Sequence, residues 1–223
     1  MSLLITKLLN NRYKALHPDQ LPIAAFVPMD GFHLTRAQLS AMPDPENAHA
    51  RRGAEFTFDG EGFLRLVQKL AEPVTPESTP IFAPSFDHAV KDPKENDICV
   101  EPSHRIVVFE GNCKSTNHLS SLLPPKTSFA LTIHTDLLLN KHPWSTASSY
   151  MTHRWFISVP PAVARERLAR RHLAAGIAST LEEAERRADE NDIPNGNEVI
   201  RLLLPKDQVD EMIVSLEDKS WAA

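Results

Sequence analysis

Apolar positions gather into four short continuous runs separated by polar and amphipathic stretches. IAAFVP (23–28), HRIVVFEGN (104–112), RWFISVP (154–160) and EMIVSLE (211–217) have the pattern of strands buried on both faces of a parallel sheet. Between them the spacing becomes helical. Leu3, Leu4, Leu8, Leu9 and Leu16, with Lys7 and Lys14 among them, predict a helix over 2–16. Phe63, Leu66, Val67 and Leu70 make an apolar stripe on a helix over 60–72. PPAVARERLARRHLAAG (160–176) has prolines in its first turn and stops at Gly176. Thr180 and Glu183 form a capping box that opens another helix over 180–192. Residues 35–60 read as loop with a short helix, and PIFAPSFDHAVKDP (80–93) as a proline-punctuated loop. No internal repeat is present. Strands alternating with helices predict an α/β fold with a parallel sheet covered on both faces. Ligands of such sheets bind beyond the carboxyl ends of the strands.

Composition narrows the function. The 223 residues suffice for one sizeable α/β domain or two very small ones, and 42% hydrophobic with 24% charged residues is ordinary for a folded protein. The formal charge of −5 argues against a general nucleic-acid or membrane-surface binder. No apolar run approaches the roughly 18 residues of a membrane span. The amino-terminal stretch lacks a signal peptide's layout, and Cys99 and Cys113 form neither a metal spacing nor a disulfide framework. A cytoplasmic protein acting on a small molecule is the expectation.

Two acids follow buried runs: Asp30 after 23–28 and Glu110 after 104–109. Either could simply cap a turn. If the two strands are neighbours, both acids face one crevice. Downstream, Arg165, Arg167, Arg170 and Arg171 crowd one helix, and the last three share a face. They make either a solvated face tempered by Glu166 or a phosphate clamp, since guanidinium forks match phosphate oxygens. The stretches RRGAEFTFD (51–59) and FDHAVKD (86–92) mix acids, arginines and histidines and could read a polar ligand or be solvated loops. With no HExxH or CxxC, a metal site built wholly from protein ligands is not expected.

In order along the chain, VPMDGFHL, RRGAEFTFD, PSFDHAVKDP, VVFEGN, RWFISVPPAVARERLARRHLAAGIA and ADENDIPNG resemble the P-loop small-molecule kinases of the uridine kinase, phosphoribulokinase and pantothenate kinase group, in particular the uridine kinase-like ATP-dependent branch. The resemblance spans most of 23–197. It implies a single kinase-like domain over 1–223, with a three-layer parallel sheet of the P-loop nucleotide-kinase type, and ATP and Mg2+ as cofactors. It gives Asp30 the role of base toward the substrate hydroxyl and Glu110 that of the Walker-B-like acid near Mg2+. Phe32, His33, Arg52, Asp59, Asp87 and His88 fall in substrate-side stretches. Arg167, Arg170 and Arg171 fall in a lid-like helical region over 161–191.

Two departures qualify this. Nothing in the sequence matches G-x-x-x-x-G-K-S/T, the first glycine being Gly31. The chain is therefore expected to lack the family's first strand and phosphate loop, with its backbone nest, lysine and hydroxyl. And where the family continues EGNYLLL, residues 113–136 intervene before LLLNKHPW, an expected insertion or translated intron. The implied function is ATP-dependent phosphorylation of a nucleoside- or sugar-like metabolite, impaired by the absent loop. The alternative is a catalytically silent relative acting as a binding or regulatory protein, or a truncated gene product.

Overall fold

The computed structural model describes residues 2–111, 131–133 and 136–215. The chain opens with helix α1 (Ser2–Leu16) and strand β1 (Ala24–Pro28), which passes through a 3-10 turn (Met29–Phe32) into two short helices, α2 (Arg36–Ser40) and α3 (Pro45–Ala50). After a second 3-10 turn (Glu55–Thr57) come α4 (Gly60–Leu70), a hairpin of β2 (Ile81–Asp87) and β3 (Asp92–Val100), and β4 (Ile106–Glu110). There follow β5 (Leu131–Ile133), α5 (Trp144–Ser149), β6 (His153–Ser158), α6 (Pro161–Ala174), α7 (Leu181–Arg187), a π-turn (Ala188–Asp192) running into α8 (Ile193–Arg201), and β7 (Glu211–Val214).

All five strands of the main sheet are parallel, in the order β1-β4-β5-β6-β7. Side chains alternate between its faces. On one face Ala25, Val27 and Phe109 meet Phe63, Leu66 and Val67 of α4 and Trp144 and Ala147 of α5. On the other, Phe26, Ile106, Val108, Trp155, Ile157 and Ile213 meet Ile5 and Leu9 of α1. The expected α/β architecture, helices on both faces of an open parallel sheet, is what the chain forms.

Four local expectations need correction. In α1 only Leu9 of the predicted stripe packs on the sheet; Leu3, Leu4, Leu8 and Leu16 are 48–67% exposed. The buried face instead carries Ser2 and Thr6, small enough for close approach, with Thr6 Oγ1 donating to the Ser2 carbonyl at 3.0 Å. Asn10 then clamps the start of β1, its amide both donating to the Ala24 carbonyl and accepting from the Ala24 N–H at 2.9 Å. The stretch 80–93 is not loop but most of the antiparallel hairpin β2–β3, in which Pro84 and Pro93 are tolerated because the ribbon has only two strands. The helix expected to end at 192 continues through the π-turn into α8. Finally, Leu131–Ile133, inside the expected insertion, is the middle strand of the sheet; residues 112–130 and 134–135 lie outside the described residues.

Candidate active site

β1 and β4 are adjacent, and their register pairs Pro28 with Glu110. Both acids singled out in the sequence therefore leave the carboxyl end of the sheet side by side, Asp30 two residues beyond Pro28. Glu110 shares its face with Ile106 and Val108, the side covered by α1.

The turn bearing Asp30 is held from behind by the hairpin. A Cβ on Gly31 would lie 2.2 Å from the Pro84 carbonyl oxygen, so only glycine lets the two backbones pass this closely. Phe32 is buried and packs edge-on against Phe63 at 5.2 Å. His33 donates its backbone N–H to the Asp30 carbonyl, and its ring stacks on Phe58 at 4.0 Å with Phe86 edge-on at 5.2 Å. Its Nε2 stands 3.9 Å from Asp30 Oδ1. The histidine side chain is 12% exposed and the Asp30 carboxylate 46%, so a fixed imidazole flanks an acid that solvent and substrate can reach.

The remaining substrate-side candidates have structural partners. Arg52 braces the hairpin: its guanidinium donates to the carbonyls of Lys91 (2.6 Å) and Leu34 (2.9 Å), pairs with Asp92 at 3.0 Å and lies over the Phe86 ring. Asp59 caps α4 by accepting from the Gly62 N–H at 2.8 Å. Asp87 accepts from the N–H groups of Ala89 and Val90 in the hairpin turn, and those bonds hold its carboxyl below the usual range. His88 is exposed beside it.

The arginines of α6 also separate. Arg167, half-buried, donates to Ser215 Oγ at 2.8 Å, just past β7 and so at the same end of the sheet as the acids. Three strand spacings, about 14 Å, separate β7 from β4. Arg170 is paired with Glu166 one turn earlier on the same helix, and Arg171 is exposed. Arg165 turns away from this row: it grips Asp189 through two hydrogen bonds of 2.8 and 2.7 Å and reaches Glu185 at 3.2 Å. That pairing raises the Arg165 pKa and lowers the Asp189 pKa. Beside it His172 Nε2 meets Asp192 Oδ2 at 2.5 Å, both buried.

Glu55 stood in the sequence only as one acid of the stretch 51–59, and Lys141 was passed over. Lys141 precedes α5, and its Nζ meets Glu55 Oε2 at 2.7 Å while Trp144 Nε1 donates to Glu55 Oε1 at 3.0 Å. Glu55 opens the second 3-10 turn and Lys141 precedes α5, and nothing in their spacing links them.

The amino end of α1 bears on nucleotide and metal binding. Asn10 is level with Ala24, so eight helical residues back, about 12 Å, and four strand residues forward, about 13 Å, bring Ser2 level with Pro28. The amino end of α1, with its positive dipole, thus lies at the same end as Glu110. Ser2 is fully buried, and its Oγ has no hydrogen-bond partner among the described residues. This donor set fits an anion. Among the described residues no three acids, histidines or cysteines cluster to cage a metal. Mg2+ is commonly held by one or two carboxylates plus substrate phosphates, a role Glu110 fits.

The ATP-dependent kinase-like protein notR' of Aspergillus versicolor is 44% identical over 185 residues, 83% of this chain and 92% of that one. The chain belongs to the P-loop kinase family. A Schizosaccharomyces pombe protein named as a uridine kinase is 42% identical to this P-loop kinase homologue over 78% of its length and 63% of the relative's. The crystal structure of YFH7 from Saccharomyces cerevisiae, a P-loop containing kinase with a circular permutation, superposes with a TM-score of 0.66 at 29% identity, over 88% of this chain and 59% of YFH7. This kinase homologue therefore spans under two thirds of the longer relatives. No family model matches it. Among the described residues no helix is long and apolar enough to cross a membrane.

Proposed function

We propose that the chain is built for ATP-dependent phosphoryl transfer to a hydroxyl of a small metabolite, nucleoside- or sugar-like, in the cytoplasm. The observation that carries this is the pairing of Pro28 with Glu110, which sets two carboxylates at adjacent strand ends beside the amino terminus of α1. In this reading Asp30 accepts the proton as the acceptor oxygen forms its bond to the γ-phosphorus and the bridging bond to ADP breaks. His33, wedged between Phe58 and Phe86, keeps the acid aimed. Arg167 supplies positive charge across the carboxyl end, leaving Arg170 and Arg171 for lid closure. Glu110 would hold Mg2+, which when bound neutralises charge developing on the phosphates.

The absent G-x-x-x-x-G-K-S/T sequence favours a second reading, a silent relative that binds without turnover. In the first reading these residues without that motif bind nucleotide weakly, because one helix terminus and one hydroxyl offer fewer donors than a full nest. Calorimetry with MgATP on this chain is expected to show millimolar binding or none; micromolar affinity contradicts the expected impairment. Phosphotransfer from labelled ATP is then followed with uridine, other nucleosides and simple sugars. Asp30→Asn should lower any transfer by about 10²–10⁴-fold while leaving nucleotide affinity unchanged. Equal turnover in Asp30→Asn and the parent removes the base assignment, and no transfer to any acceptor leaves the binding role.

A further inference from the structure

A cavity lies on the face of the sheet covered by α4, the face away from Glu110. It measures about 730 Å³ and lies beneath the turn that follows α4, against the start of β4 and the end of α5. Its lining follows that face of β4 through Val107 and Phe109, whereas Glu110 turns to the face covered by α1. A volume of this size matches sites that take drug-sized molecules.

The floor is apolar and rigid. Val67, Val100, Phe109 and Met151 line it and are each at most 5% exposed. The mouth is charged and unbalanced: Glu72, Glu77 and Glu101 stand against Lys69 and Arg105. Of the two bases, Arg105 already donates to the Pro102 carbonyl at 3.2 Å. His104 lines the mouth as well; its Nδ1 accepts from the Glu101 N–H at 2.9 Å, which leaves Nε2 as the protonated nitrogen. The exposed ring of Tyr150 offers a π-face at the entrance. An apolar body suits the floor, while the one surplus carboxylate and an aromatic face suit an ammonium head. A carboxylate head would meet the acids.

We propose that this cavity is a second ligand site, separate from the phosphoryl-transfer crevice, for small amphipathic amines. The test uses phenethylamine, phenethyl alcohol and phenylacetate, which share a ring and differ in head-group charge, titrated against the full chain by calorimetry and ligand-observed NMR. Phenethylamine should bind saturably, with up to about five-fold preference over the alcohol, the most that one exposed ion pair supplies. Phenylacetate should bind least. Thr79→Trp and, independently, Val74→Trp place an indole in the mouth and should abolish phenethylamine binding without lowering the melting temperature. Glu77→Gln with Glu101→Gln should erase the preference for amine while keeping the alcohol bound. Absence of saturable phenethylamine binding overturns the site. Binding unchanged in both folded tryptophan variants overturns its location, and phenylacetate binding best overturns the ligand class. None of these readouts uses ATP, so they stand apart from the kinase reading.

Discussion

At the scale of single residues, the turn after β1 depends on an atom that is missing. Gly31 lets the Asp30 turn and the β2 backbone pass within a distance no Cβ tolerates, 2.2 Å from the Pro84 oxygen. Gly31→Ala must push hairpin and turn apart. Overpacking of this kind costs about 1–3 kcal/mol, which for a chain of this size lowers the melting temperature by roughly 3–10 °C. Calorimetric melting of the variant measures it; an unchanged Tm would show that the hairpin gives way freely. The same residues show how much of the site was legible. Asp30 and Glu110 could be found because each acid ends an apolar run, and topology then brought them together. Arg52, Asp59 and Asp87 could not be sorted, because an acid that caps a helix or an arginine that braces a hairpin looks identical in sequence to one that meets a substrate. Arg165 and Arg167, two residues apart, differ in partner only because α7 and the π-turn come back beside the first.

Elements show where periodicity was enough and where it was not. The capping signals at Thr180 and Gly176 were reliable: Thr180 Oγ1 accepts from the Glu183 N–H at 3.1 Å, and Gly176 takes φ +64° where the helix stops. The Glu183 carboxylate reaches Ser179 rather than closing the box on Thr180. β5 escaped notice because three residues carry no period, yet its backbone pairs with β4 on one side and β6 on the other. Thr132 pairs with Phe109 and Arg154. Thr132→Pro removes a ladder donor from a central strand and should destabilise the fold by about 3 kcal/mol. Urea unfolding checks this, and wild-type stability would show that 113–136 is dispensable to the sheet, as an insertion should be. The link between α6 and the π-turn is a second element-scale test. Asp192→Ala leaves His172 Nε2 buried without its acceptor, costing about 1–3 kcal/mol. Hydrogen exchange should then rise first in α6 and the π-turn rather than in β1 or β4.

For the whole molecule, strand type could be read from apolar runs but strand order could not, since nothing local says that β1 lies at an edge next to β4. The order matters because it gathers the acids, the α1 terminus and Arg167 at one end of the sheet and leaves the cavity with His104 on the α4 face. Burial depresses the His104 pKa below its ordinary 6.5. The native state then binds fewer protons than the unfolded chain below that value, so stability falls as pH drops through the region under about 6.5. Hydrogen bonds hold the carboxyls of Asp87, Asp97, Glu183 and Asp189 below their ordinary values. Their contribution is complete at neutral pH and is lost only as pH falls below about 4. Stability should therefore be lost in two stages as pH falls, the first set by His104. His104→Asn keeps an acceptor for the Glu101 N–H and removes the titration. Between pH 7.5 and 5.5 the urea midpoint of the variant should fall less than that of the parent, while both fall together below pH 4. An equal fall in the upper range would assign the first step to another histidine.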